Sequence, residues 1–157
     1  MLSGGTRIDM TSFTIPKGVM KIADHAFENC FALTDVVIPA SVNSIGACAF
    51  KNCGNLSQIT LPKNLRSIGD SAFRGCTYLT HVSIPDSVKR LGSGAFSYCV
   101  NLTGVMIPDS VTFIGGDAFT HCRNLTLTVG RSSYARQYCI EHSLKYTYPD
   151  AIDWLNQ

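Results

Sequence analysis

Residues 33–53 read LTDVVIPASVNSIGACAFKNC, and residues 56–76 repeat the pattern as LSQITLPKNLRSIGDSAFRGC. The period is 23 residues, and five copies of the unit occupy residues 10–124. Self-similarity at a period of about 20 to 50 residues indicates a solenoid, in which each unit buries its apolar side against its neighbours. The aligned columns are Pro16, Pro39, Pro62, Pro85 and Pro108; Phe27, Phe50, Phe73, Phe96 and Phe119; and Cys30, Cys53, Cys76, Cys99 and Cys122.

The first part of each unit predicts a short, half-buried strand. Apolar residues recur two apart, so Val36 and Ile38 face one side of the strand while Asp35 and Val37 face the other. Stacked copies of this strand predict a parallel sheet. Pro39 then ends the strand, because proline has no N–H to donate to the next rung and fixes its φ near about −65°.

The second part of each unit predicts a return turn. Glycine follows the second aliphatic pair in four copies, which favours a tight bend. An alanine and a phenylalanine come next, and we expect Phe50 and its counterparts to fill the coil as a ladder of rings. The cysteine column is predicted to hold buried, reduced thiols that pack as small apolar groups, since stacked side chains in register point the same way.

The signature Leu-x-x-Val-x-Ile-Pro-x-x-Val-x-x-Ile-Gly-x-x-Ala-Phe-x-x-Cys, met by residues 33–53 and 102–122, resembles the BspA-like leucine-rich repeat family of bacterial-type surface antigens. The resemblance covers about residues 10–148. It implies a curved, right-handed leucine-rich solenoid, rich in short strands and turns, with few helices outside a C-terminal cap. It also implies a cell-surface or secreted protein with a role in adhesion or partner binding.

The repeat pattern divides the chain into three parts. Residues 1–9 are predicted to be a lead-in segment or a truncated repeat, residues 10–124 the five repeats, and residues 125–157 a cap. The register slips after Asn124, where apolar residues recur two apart and no proline follows. A cap of different structure is what a solenoid needs to cover its last open rung.

The cap sequence predicts one helix and one strand. Ser132 or Ser133 is suited to begin a helix that reaches His142. Residues 144–148 predict a last strand. Residues 150–157 are expected to add a turn of helix that packs Ile152, Trp154 and Leu155 onto the cap.

Composition limits the functions that this chain can serve. The 157 residues carry a formal net charge of +2, so charge does not indicate nucleic acid as a partner. The sequence contains no run of about 18 apolar residues, so membrane insertion is not predicted, and no signal peptide is recognisable. We therefore expect a piece of a longer surface protein, with a cytoplasmic protein as the alternative. Oligomeric state is left open, with a monomer as the simplest case.

No catalytic, metal or cofactor site is predicted. His25 and Cys48 lie 23 residues apart, so they occupy one column on adjacent turns and are expected about 5 Å from each other. A cysteine-dependent enzyme needs an orienting third group and a pocket in addition. The column continues with Ser71, Gly94 and Asp117, which favours a chance pairing on a variable, solvent-facing edge. Zinc is disfavoured because only Cys48 and Cys53 have a suitable short spacing.

The exposed side of the front strands is the predicted ligand surface. Its outward positions form a polar, nearly uncharged strip, which suits a protein, an extracellular-matrix ligand or an extended peptide. A structural spacer without a ligand of its own is the alternative. The candidate residues are Asp35, Val37, Gln58, Thr60, His81, Ser83 and Met106. A second, weaker candidate is the basic set Lys63, Arg66, Arg74, Lys89 and Arg90.

Overall fold

The computed structural model describes residues 9 to 149 and shows a β-solenoid of about six turns with one short helix. The solenoid predicted from the period is therefore confirmed. In chain order the elements are β1 (Ser12–Thr14), β2 (Lys21–Ile22), β3 (Asp35–Val37), β4 (Ser44–Ile45), β5 (Ser67–Ile68), β6 (His81–Ser83), β7 (Arg90–Leu91), β8 (Gly104–Ile107), β9 (Phe113–Ile114), β10 (Thr126–Val129), α1 (Tyr134–Glu141) and β11 (Tyr146–Thr147).

The strands that follow the leucine column form what we call the front of the solenoid. β1 pairs with β3, and β6, β8, β10 and β11 form a separate four-stranded sheet; every pairing is parallel. His81 lies opposite Gly104, a step of one 23-residue unit, but Gly104 lies opposite Thr126, a step of 22. The predicted slip in register after Asn124 is thus visible as a one-residue shift of the last full strand.

The front sheet is interrupted at the third unit, which corrects the prediction of one continuous sheet. Gln58 and Thr60 were expected in a strand, but no strand is assigned between residues 51 and 66. The third unit has Ser57 and Leu61 in the two columns that the flanking units fill with threonine and isoleucine. Since β-branched residues favour strands, this unit has the weakest local preference for the extended ladder.

A second parallel sheet, which we call the back sheet, runs unbroken through all five units. Its two-residue strands follow the order β2-β4-β5-β7-β9 at an exact 23-residue step. The sequence predicts only a turn in this part of the unit, because two residues are too few to show alternation. Each back strand places one aliphatic side chain in the core and leaves its other residue half-buried or exposed.

The glycine column after the back strands allows the backbones of adjacent turns to approach closely. A Cβ built on Gly69 would lie 2.6 Å from the Ala47 nitrogen, and one on Gly92 would lie 2.5 Å from the Asp70 nitrogen. Neither glycine has a positive φ, so the expected special turn conformation is not the reason for this column. The left-handed residues occur further on, in the columns of His25 and Asn29.

The core consists of repeated columns. Phe27, Phe50, Phe73, Phe96 and Phe119 stack with ring centroids 5.0 to 5.7 Å apart and planes within 6° of parallel, which confirms the predicted ladder. The cysteines of the adjacent column are buried and form no disulfides. The sulfurs of the last four donate to the preceding turn, as Cys76 Sγ does to the Phe50 carbonyl at 3.2 Å. Burial and a hydrogen bond together explain why cysteine suits this column.

The proline column lies where the chain leaves the front and crosses to the back. Each of these prolines accepts a hydrogen bond from the amide three residues later, at 3.0 to 3.3 Å, so a turn begins at the proline. This position agrees with the predicted strand end.

The cap has the predicted helix and strand. Ser133 is the N-cap of α1 and accepts from the Arg136 amide at 3.1 Å. Tyr138 is buried in the last turn and donates its hydroxyl to the Gly115 carbonyl at 2.9 Å, while Tyr134 is exposed. β11 covers part of the expected final strand. The expected packing of Ile152, Trp154 and Leu155 lies outside the described residues, as does most of the lead-in segment.

Candidate functional site

All seven candidate ligand-surface residues are exposed on the front of the solenoid. Alternation within each strand is the cause: Val36 and Val82 point into the core, while their neighbours Asp35, Val37, His81 and Ser83 point outward. The residues fall into two groups, one on β3 and one on β6 and β8. Gln58 and Thr60 lie between them on the unpaired segment of the third unit.

His81 has a defined position on this surface. Gly104 lies opposite it on β8, and a Cβ built on Gly104 would lie 2.9 Å from the His81 Cδ2 atom. The imidazole therefore extends over the glycine and occupies the space that a larger residue would fill. Thr103 Oγ1 lies 3.3 Å from His81 Nε2, within hydrogen-bonding distance. The neighbouring strand thus orients this ring, although the ring is exposed to solvent.

Two apolar side chains flank this polar strip. Val37 and Met106 are each 50% exposed. Asp35 is the acidic member of the candidate set. The surface therefore offers two apolar contacts, hydroxyl and amide groups, one imidazole and one carboxylate.

The predicted basic set does not form one surface. Arg66 and Lys89 are neighbours on the back sheet, where the Lys89 amide donates to the Arg66 carbonyl at 2.8 Å. Arg90 stacks over the Phe113 ring at 4.0 Å, also on the back. Arg74 instead lies over Tyr98 at 4.6 Å, on the turns that return to the front. Three back-sheet cations therefore remain as a small basic patch.

His25 and Cys48 are adjacent, as the period predicts, and Glu28 joins them. His25 Nδ1 lies 2.5 Å from Glu28 Oε2, and Lys51 Nζ lies 3.1 Å from Glu28 Oε1. One ligand atom from each of His25, Glu28 and Cys48 lies within 4.8 Å of the other two. Hydrogen bonds from His25 and then Lys51 lower the pKa of the Glu28 carboxyl.

Glu28 and Lys51 are not among the site residues predicted from the sequence. They stand 23 residues apart with opposite charge, and this signal could have placed them side by side on adjacent turns.

The buried thiols are poor nucleophiles. Burial raises the pKa of Cys53 to about 12 and that of Cys122 to about 11, and it raises the pKa of Cys76 and Cys99 as well. Thiolate formation, which nucleophilic chemistry requires, is therefore suppressed along the column. All seven cysteines lie in the described residues, and Cys48 alone among them is not buried.

Two cavities lie at the ends of the array, away from the front surface. One of about 370 Å³ lies between the last turn and the cap, where His121, Arg123, Tyr138 and His142 line it. The other, of about 380 Å³, is mainly apolar and is lined by residues of the first turn, including Phe13, Ile15 and Phe27. No helix within residues 9–149 is both long and apolar enough to span a bilayer.

Comparison with known proteins gives consistent matches. A family model for the BspA-type leucine-rich repeat region matches residues 6–126 in six copies. A leucine-rich repeat protein of T. pallidum is 36% identical with a TM-score of 0.73; the match covers 75% of this chain and 58% of that protein. A leucine-rich cell surface protein of Faecalibacterium prausnitzii A2-165 is 32% identical with a TM-score of 0.73; the match covers 93% of this chain and 34% of that protein.

A third solved structure, a leucine-rich repeat protein of Bacteroides ovatus ATCC 8483, is 34% identical with a TM-score of 0.57, over 76% of this chain and 37% of that protein. The matched segment is thus less than two thirds of the length of each of these three proteins. No curated protein matches the chain.

Proposed function

Because the chain belongs to the BspA-type leucine-rich repeat family, we propose that it is a non-enzymatic protein-recognition or adhesion module of a cell-surface protein. The ligand is a protein, such as an extracellular-matrix component, or an extended peptide. A solved relative described as a cell surface protein supports this location. Solenoids bind partners on extended surfaces made of aligned, variable columns, and the front of this array has that form.

The observation that carries the proposal is the His81 site. A ring that lies over Gly104 and within hydrogen-bonding distance of Thr103 loses little freedom when a ligand binds to it. Val37 on β3 and Met106 on β8 add exposed apolar area to the front. A side chain that is already held in place loses little entropy on binding, and exposed apolar area gains free energy when a ligand covers it. Both features favour ligand binding at this surface.

A binding screen tests the proposal. The full chain is immobilised, and extracellular-matrix proteins and host-cell extracts are passed over it, with bound proteins identified and then purified. We expect a ligand whose affinity falls at least about ten-fold when Asp35, Gln58 and His81 are replaced together by alanine, which corresponds to about 1.4 kcal/mol. A matched variant on the back sheet, Arg66→Ala with Thr112→Ala, should bind normally.

The alternative function is a spacer that displays other parts of a longer protein. The uniform units favour it, because most columns vary little between turns. If no purified ligand binds, the recognition proposal fails and the spacer function is supported. If a ligand binds the front variant as tightly as the back variant, the front surface is not the binding site and that part of the proposal is wrong.

A further inference from the structure

We propose that His25, Glu28 and Cys48 form a binding site for a zinc-type divalent cation. The three side chains lie on two adjacent turns, just after the back sheet, and their ligand atoms lie within 4.8 Å of one another. Zinc was not expected from the sequence because only the spacing between cysteines close in sequence was compared with known zinc sites. The solenoid brings ligands together across its period instead.

The fold fixes the backbone of two of the three ligands. His25 and Cys48 both have left-handed backbones, with φ of 59° and 55°. The His25 amide donates to the Ala47 carbonyl and the Cys48 amide to the Asp70 carbonyl, each at 2.8 Å. Ser71 and Gly94 continue the column with the same sign of φ. The left-handed backbone is therefore shared by several turns of this column, whereas an imidazole and a thiol occur in it only on the first two turns.

The ligand types favour zinc over calcium or magnesium. Thiolate and imidazole are ligands for zinc and related transition metals, while calcium and magnesium prefer oxygen alone. Three protein ligands leave a fourth position for water, as in open zinc sites.

The distances allow a tetrahedral site after small rotations of the side chains. Bonds of about 2.0 Å to nitrogen and oxygen and about 2.3 Å to sulfur place tetrahedral ligand atoms about 3.3 to 3.5 Å apart. The 2.5 Å contact between His25 and Glu28 must therefore open by about 1 Å, and the widest separation must close by about 1 Å. His25 is 57% exposed and Glu28 is 23% exposed, so the surroundings permit these rotations.

Lys51 limits the affinity of the site. Its ammonium group lies 3.1 Å from Glu28 Oε1, so it leaves Oε2 for a metal but opposes a nearby dication. This arrangement predicts a result that a simple surface ion pair does not: the Lys51→Ala variant should bind the metal more tightly.

Metal binding is tested on the full chain with Zn²⁺ alone. Calorimetry should give one zinc per chain, and Cys48→Ser, His25→Ala and Glu28→Gln should each weaken affinity at least about ten-fold. The His81→Ala variant, which removes an exposed histidine elsewhere, should bind like the unchanged protein. Circular dichroism shows whether each variant is folded. The proposal would be overturned if zinc does not bind one to one, or if the three ligand variants bind zinc as tightly as the unchanged protein.

Two further readouts depend on the thiol itself. Cys48 is the accessible thiol, so a disulfide reagent should modify one cysteine per native chain, and zinc should slow this reaction at least about ten-fold. Co²⁺ should give the near-ultraviolet charge-transfer absorption of a thiolate complex, and Cys48→Ser should remove it. A labelling rate that zinc does not change would contradict coordination by Cys48 and favour a free surface thiol.

Discussion

Phe73 lies at the centre of the ring ladder, 5.2 Å from Phe50 and 5.2 Å from Phe96. It is fully buried, so replacement by alanine leaves a cavity between two adjacent turns. We expect Phe73→Ala to lower the free energy of unfolding by about 3 to 5 kcal/mol in urea denaturation. Phe31→Ala removes a ring that is 51% exposed and should cost less than about 0.5 kcal/mol. Equal losses would show that the ladder contributes nothing specific.

The buried thiols make stability depend on alkaline pH. In the unfolded chain a thiol ionises near pH 9, whereas burial raises the folded pKa of Cys53 to about 12 and of Cys122 and Cys139 to about 11. The folded state therefore holds more protons, and stability is complete below pH 9 and lost as pH rises toward the folded pKa values. Each such thiol should lower the free energy of unfolding by about 1.4 kcal/mol per pH unit in this range.

Urea denaturation between pH 7.5 and pH 10 measures this effect. The Cys99→Ala variant should lose stability less steeply than the unchanged chain, because one buried thiol is gone. Ser97→Ala should keep the original slope, since it removes a buried hydroxyl that does not ionise in this range. A stability that stays constant up to pH 10 would contradict the prediction.

At the scale of the elements, substitutions in the third unit can show why the front sheet is interrupted there. Ser57→Thr together with Leu61→Ile restores the β-branched residues of the flanking units, and we expect a strand to form over residues 58–60. Amide hydrogen exchange in this segment should slow relative to the unchanged chain. The same exchanges made in reverse in the fourth unit, Thr80→Ser and Ile84→Leu, should speed exchange in β6. If neither pair changes exchange, residue type in these columns is not the cause.

The front strands could be predicted from the sequence, and the back strands could not. A front strand shows three apolar positions with clear alternation before a proline, whereas Ser44–Ile45 and its counterparts contain one buried residue each. The back sheet becomes visible only when pairing between turns is known. In the same way, the period predicts that His25 and Cys48 are adjacent. That Glu28 lies beside them is known only from its side-chain contact with His25.

At the scale of the whole molecule, equal units predict that the array tolerates loss of one complete unit. Deletion of residues 56–78 joins Asn55 to Leu79 and keeps every column aligned, and it also removes the interrupted part of the front. We expect a folded protein with a single cooperative thermal transition, because stability in solenoids is nearly a sum over units and their interfaces. Deletion of residues 59–78 shifts the columns by three residues and should unfold the array. Similar thermal transitions for both deletions would contradict this view.

The two sheets differ in continuity, and this difference has a mechanical consequence. Backbone hydrogen bonds cross every level of the back, including the Arg66 amide to the Asn43 carbonyl and the Lys89 amide to the Arg66 carbonyl, both at 2.8 Å. Within the described residues, no ladder joins β3 to β6 across the front. We therefore expect the array to bend most easily at the third unit. Such a bend would move Val37 and Ser83 apart or together while the back-sheet hydrogen bonds stay intact.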